Sequence, residues 1–234
     1  MGFSDLIFPK KCVVCKKHGS YLCEKCFTFL SFDAKSLCLA CNNPTFNNLT
    51  HPRCRRKYGI DGCFSALAYN KPMQKLIFNF KYKPYLTDLK TVLSDLFYES
   101  IIQNEQFQSQ IKKGEWLMVP IPLSKTKLRK RGYNQAEILA KELSKKFNFP
   151  VQSILERTRE TKTQVGLTNL QRKLNVKDAF KLNLSLIANH SSLKNANIFL
   201  VDDVATTGST LLEAAKVLKK GGADKVFGLT LARD

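Results

Sequence analysis

Apolar and polar positions change rhythm near residue 63. From there the chain reads as strands alternating with helices. Phe64 to Tyr69 is strand-like, and Trp116 to Ile121 is a short apolar run ending in Pro120 and Pro122. Tyr133 to Phe147 has helical spacing, with Ile138, Leu139 and Leu143 on one side. Val151 to Leu155 predicts a further strand, and Asn197 to Val204 predicts the clearest one through Ile198-Phe199-Leu200-Val201. Leu211, Leu212, Ala214, Ala215 and Leu218 form an apolar helix face closed by Gly221-Gly222, and Lys225 to Ala232 predicts a last strand. Such alternation predicts an α/β domain, a parallel sheet flanked by helices, over residues 63–234. Residues 1–62 lack that rhythm and bury little core of their own.

Cysteine explains how the first region folds. All eight cysteines lie between Cys12 and Cys63. They form the pairs Cys12-x2-Cys15, Cys23-x2-Cys26 and Cys38-x2-Cys41, followed by His51-x2-Cys54, with Cys63 alone. Each pair lets two soft ligands from one turn reach one tetrahedral ion. Eight ligands make two closed sites, as structural zinc requires, so residues 1–62 read as a small N-terminal zinc-binding domain. Sequential pairing assigns Cys12, Cys15, Cys23 and Cys26 to one ion and Cys38, Cys41, His51 and Cys54 to the other. An interleaved pairing and a single ion remain open. Cys63, at the start of a strand-like run, reads as a buried residue or spare ligand.

The charge is unusual: 38 Lys and Arg against 19 acids give +19. Such an excess attracts polyanions. Lys125 to Arg131 carries five cations in seven residues, and Arg53, Arg55, Arg56 and Lys57 surround Cys54 with Tyr58 adjacent. Basic residues beside aromatics suit single-stranded nucleic acid, the alternative being a solvated face. No apolar stretch reaches the roughly 18 residues of a membrane span, and Met1 to Lys11 lacks a signal-peptide pattern. A cytoplasmic protein is expected.

The sharpest local signal runs from Ile198 to Thr210. An apolar strand delivers Asp202 and Asp203, and a hydroxyl-rich turn with Thr206, Thr207, Gly208, Ser209 and Thr210 opens a helix. Ligands of open α/β sheets bind at the carboxyl ends of strands, and a helix start favours phosphate. The two carboxylates accept hydrogen bonds and suit a ribose diol. A helix cap needs one such residue, and here are six.

This stretch resembles the phosphoribosyl pyrophosphate signature of type I phosphoribosyltransferases. With the cysteine pairs, Val119-Pro120-Ile121-Pro122, Arg131-Gly132-Tyr133-Asn134-Gln135, Gln164 through Arg172 to Asn175, and Phe180, nearly the whole chain resembles the ComF family of competence proteins. The resemblance implies that Asp202 and Asp203 hold the ribose and that Ala205 to Thr210 wrap the 5-phosphate. It implies that a loop after Pro122, with Arg129, Lys130 and Arg131, meets the pyrophosphate, and that magnesium arrives with the ligand. Arg157 to Asn175 would be a closing loop, with Gln164 and Arg172 its contacts. Where the family has a fourth cysteine pair, this chain has His51. The implied role is handling of single-stranded DNA during natural transformation, with other DNA-uptake proteins as partners. Lys125, Lys127, Arg53, Arg55, Arg56 and Lys57 would be the DNA contacts. An active phosphoribosyltransferase on an unidentified nitrogen nucleophile and a phosphoribosyl pyrophosphate sensor are the alternatives.

Overall fold

The computed structural model describes residues 10–83, 88–160, 168–183, 185 and 193–234. A short helix α1 (Glu24–Phe27) and a 3-10 turn at Pro52–Cys54 lie in the cysteine-rich stretch. Then follow β1 (Gly62–Ala68), α2 (Lys71–Tyr82), α3 (Leu89–Ile102), α4 (Glu105–Ile111) and β2 (Trp116–Pro120). Next come α5 (Lys125–Arg131), α6 (Gln135–Phe147), β3 (Leu155–Arg157), α7 (Asn169–Val176) and β4 (Phe180–Leu182). The last elements are β5 (Asn197–Ala205), α8 (Ser209–Lys220) and β6 (Lys225–Arg233).

Among the described residues the main sheet has the order β1-β6-β5-β2, with every pair parallel. Alternation along β5 shows why it is central. Phe199 and Val201 join the apolar cluster with α2, α3, α4 and α6, through Met73, Leu93, Phe107 and Leu139. Ile198 and Leu200 face the other way, onto Leu211, Ala214 and Leu218 of α8. A strand buried on both faces needs an unbroken apolar run, which is what Ile198 to Val201 provides. Trp116 stacks on Phe199 with ring centroids 4.1 Å apart. Such a pair contributes about 0.5–1.5 kcal/mol beyond area burial.

The expected strand at Val151 to Leu155 is split. Val151 makes one parallel bridge to Met118, held by Met118 N–H to the Pro150 carbonyl and Gln152 N–H to the Met118 carbonyl. The chain then leaves the sheet edge, and β3 pairs antiparallel with β4 instead. Among the described residues no helix is long and apolar enough to cross a membrane.

The cysteine-rich stretch is joined to the sheet by its backbone. Thr50 N–H donates to the Asp61 carbonyl and Cys63 N–H to that of Asn48, each at 2.8 Å, beside a Leu49–Gly62 bridge. A Cβ on Gly62 would stand 2.2 Å from the Asn48 carbonyl oxygen, so this approach demands glycine.

Candidate metal centres and ligand cleft

Two groups of soft ligands converge. The ligand atoms of Cys12, Cys15, Cys23 and Cys26 lie within 4.8 Å of one another, as do those of Cys38, Cys41, His51 and Cys54. The pairing is therefore sequential, and Cys63 is a buried strand residue outside both groups. The donor spacing fits zinc. Cys15 and Cys23 sulfurs are 3.6 Å apart, near the ~3.8 Å edge of a tetrahedron with sulfur ligands at about 2.3 Å.

His51 fits the second group through Nδ1, which lies 3.3 Å from the Cys41 sulfur. Its Nε2 lies 2.9 Å from the Pro44 carbonyl, which can only accept, so Nε2 carries the proton and Nδ1 is left with its lone pair for a metal. Burial and three neighbouring thiols push Cys26 up to about 12. Burial also opposes ionisation of Cys12, but backbone N–H groups at Cys15 and Cys23 outweigh it and bring it down to about 6. Thiols this crowded ionise together when a cation joins them. Four protein ligands leave no open position, so zinc here supplies folding energy rather than catalysis.

The second site is a cleft of about 540 Å³ at the carboxyl ends of the strands. Asp202, Asp203, Val204, Thr206 and Thr210 line one side, and Lys127, Arg131, Arg157 and Arg172 contribute the cations. Lys81, projecting from α2, forms a 2.8 Å ion pair with Asp203. Burial alone would lower the Lys81 pKa, yet attraction to Asp203 overrides it and the net shift is upward. Asp202 is pushed up to about 7, first by burial and then by the charge of Asp203, with Lys81 and the Asp203 N–H opposing. Lys127 is pulled down by burial and by Arg157 and Arg131. The cation wall is thus crowded, and an anion between these groups relieves the repulsion.

The loop after β5 is shaped by Gly208, which caps α8 with φ +70°. Thr207 and Ser209 hydroxyls are 2.8 Å apart and both residues are buried, while Ala205 is 2% exposed. Thr206 and Thr210 line the cleft, whereas Thr207 and Ser209 are buried and do not line it.

The stretch after Pro122 is helical from Lys125 rather than a loop. Ser124 caps α5, and Thr126 N–H donates to Glu160 at 3.1 Å. That helix sorts its cations. Lys127 and Arg131 line the cleft, whereas Lys125, Arg129 and Lys130 are exposed and do not. Arg131 donates to Gln135 Oε1 at 2.8 Å and lies 5.1 Å over the Tyr82 ring. Arg53, Arg55, Arg56 and Lys57 are exposed, with the Lys57 ammonium 5.4 Å and the Lys220 ammonium 6.0 Å from the Tyr58 ring centre. Gln164 lies outside the described residues.

Sequence reasoning missed Lys81, and it named Arg157 merely as the edge of a loop. It also missed an aromatic wall: Phe78 and Tyr82 line the cleft with centroids 4.9 Å apart and are 57% and 47% exposed. Helical spacing of Phe78, Lys81 and Tyr82 was the available signal.

Residues 130–233 match the phosphoribosyl transferase domain family, and residues 3–56 match the double zinc ribbon domain. Competence protein F of Haemophilus influenzae is 30% identical over 230 residues, 92% of this chain and 97% of that protein. DNA utilization protein YhgH of Escherichia coli is 30% identical over 235 residues, 97% of this chain and 99% of its own length. Competence protein ComFC of Bacillus subtilis is 29% identical over 171 residues, 72% and 63% respectively.

Proposed function

This chain belongs to the ComF family of competence proteins, and we propose that it handles single-stranded DNA in natural transformation while binding phosphoribosyl pyrophosphate in its cleft. One observation carries the reading: Asp202 and Asp203 lie in the carboxyl-terminal half of buried strand β5, ahead of a hydroxyl-rich helix start, and Lys127, Arg131 and Arg157 line the same cleft as the two carboxylates.

In this reading Asp202 and Asp203 accept hydrogen bonds from the ribose hydroxyls. N–H groups and hydroxyls between Ala205 and Thr210 hold the 5-phosphate at the positive end of α8. Lys127, Arg131 and Arg157 neutralise the pyrophosphate, and Arg172 closes from α7. Magnesium, which keeps to one or two carboxylates plus substrate phosphates, enters with the ligand. Arg129 and Lys130, expected at the pyrophosphate, join Lys125 as exposed cations outside the cleft, and Arg53, Arg55, Arg56 and Lys57 form a second exposed basic group. There Tyr58 offers a ring to an unpaired base. The zinc-binding domain is assigned to residues 1–62 and the ligand domain to 63–234.

A second reading has its own observation. The wall of Phe78 and Tyr82 beside the ribose carboxylates suits a planar nitrogen nucleophile, which would make the protein a transferase. Phosphorus NMR of phosphoribosyl pyrophosphate with magnesium and zinc-loaded protein, repeated after a nucleobase mixture is added, tests both. Shifted or broadened resonances without turnover are expected, and an Asp202→Asn, Asp203→Asn double variant removes them. Pyrophosphate released by the native protein alone identifies the transferase. Unchanged resonances with the native protein refute the cleft reading.

A further inference from the structure

We infer that the turn Cys38-Leu39-Ala40-Cys41 braces the 205–210 loop, and that Leu39 is the positioning residue linking metal occupancy to the shape of that loop. The inference adds to the reading of that loop as a phosphate cradle, and it can be tested without the ligand.

The contact is close. A Cβ built on Gly208 would lie 2.4 Å from Leu39 Cδ2, and 3.2 and 3.3 Å from its Cγ and Cβ. Leu39 therefore occupies the space against the Gly208 backbone, at the residue whose φ of +70° turns the chain into α8. Leu39 is 2% exposed and shares an apolar cluster with Ala205 and Leu211, which flank the loop. In sequence it stands between two metal ligands of the Cys38, Cys41, His51 and Cys54 group. The turn itself is closed by hydrogen bonds from Cys38 N–H to the Asn43 carbonyl and from Asn42 N–H to that of Cys38.

A second tether runs in parallel. Arg233, 3% exposed, is in register with Ala205 and donates from Nη1 to the Leu37 carbonyl at 3.1 Å. The same turn is thus fixed to the strand end and to the loop. Within the loop, the side chains contribute the Thr207–Ser209 hydroxyl pair and a 3.4 Å bond from Ser209 N–H to Thr207. Backbone bonds from Asp234 N–H to the Ala205 carbonyl and from Leu212 N–H to the Gly208 carbonyl hold the loop's two ends, and Leu39 packs against the Gly208 backbone between them. Packed interiors do not deform gradually, so loss of the metal that holds the turn removes this wall as a unit.

Hydrogen exchange by mass spectrometry on the full, ligand-free chain tests this. Native protein, Leu39→Ala, Leu39→Met and native protein stripped by a zinc chelator would be compared, with zinc measured in each. Leu39→Ala and the stripped protein should exchange amides of residues 205–210 at least about tenfold faster, while residues 198–201 keep their protection. Leu39→Met should restore slow exchange. Unchanged loop exchange in a zinc-loaded Leu39→Ala protein overturns the brace. Should Leu39→Ala lose zinc or its circular dichroism, Leu39→Val carries the same comparison. A parallel titration with phosphoribosyl pyrophosphate separates the two ideas: a native protein that ignores the ligand refutes the phosphate reading, while the exchange data judge the brace.

Discussion

Replacing Lys81 by methionine keeps most of the aliphatic stem and removes one charge from the cleft. Lys81 and Asp203 are 2.8 Å apart, with side chains 21% and 11% exposed. At that separation the bare attraction is about 6 kcal/mol for an effective dielectric near 20. Desolvation offsets part of it, and orphaning one partner of a buried pair typically costs about 3–5 kcal/mol. Residual exposure places Lys81→Met at the low end, about 3 kcal/mol. For a chain of this size that corresponds to a melting temperature lowered by about 6–12 °C.

The sign of the pH dependence follows from Asp202, whose pKa is raised to about 7. Between the ordinary carboxylate range and that value the folded state binds more protons than the unfolded chain, so this group's contribution to stability falls as pH rises through the window. Lys81 opposes the upward shift. Without it the acid pair holds a proton more readily, so the penalty of Lys81→Met is smaller near pH 5.5 than near pH 8. Thermal melts of zinc-loaded native, Lys81→Met and Lys81→Met/Asp203→Asn proteins at both pH values measure this. The double variant should recover most of the loss, because the carboxylate that Lys81 pairs with is neutral and no longer repels Asp202. An equal penalty at both pH values, or no recovery, would refute the electrostatic argument.

Calorimetry should show phosphoribosyl pyrophosphate affinity falling about 10- to 100-fold in Lys127→Ala or Arg131→Ala, the cost of one charge-assisted contact, and little change in Arg129→Ala or Lys130→Ala. His51→Ala should lose one zinc equivalent by elemental analysis while His51→Cys retains it, since a thiolate can take the place of Nδ1. Replacing Arg55, Arg56 and Lys57 by alanine should reduce the slope of log affinity for single-stranded DNA against log salt by about 0.7 per lost phosphate contact, read by fluorescence anisotropy.

What was legible in the sequence was local. The strand from Ile198 to Val201, its two aspartates and the hydroxyl-rich turn are contiguous, and the cysteine pairs mark their own turns. Lys81 was not legible because it stands on α2 while its partner Asp203 comes from β5, far along the chain and brought near by the fold. Helix α3 left a weak signal for a different reason. Beside the buried stripe of Leu89, Leu93, Leu96, Phe97 and Ile101, α3 carries Val92, Tyr98 and Ile102 on its other sides, so its apolar positions spread beyond a single stripe. His51 departed from a cysteine pattern, and its fitness as a ligand became visible once the Pro44 carbonyl fixed its tautomer.

The basic run Lys125 to Arg131 shows how fold divides a charge that composition merely counts. As a linear cluster it offered one undivided site to either anion. Wound into a helix, residues four apart share a face. Lys127 and Arg131 therefore line the cleft together, while Lys125, Arg129 and Lys130 remain exposed. The cleft pair lies in confined surroundings, where burial and Arg157 already lower the Lys127 pKa, so its contacts are weakly screened. The outer three lie in solvent, where salt screens them within about 8 Å at physiological strength. On the proposed reading, one seven-residue helix would thus offer a salt-resistant face to a small phosphate ligand and a salt-sensitive face to a polyanion. The two proposed activities are separable by which face is mutated, and neutralising the whole cluster at once would confound them.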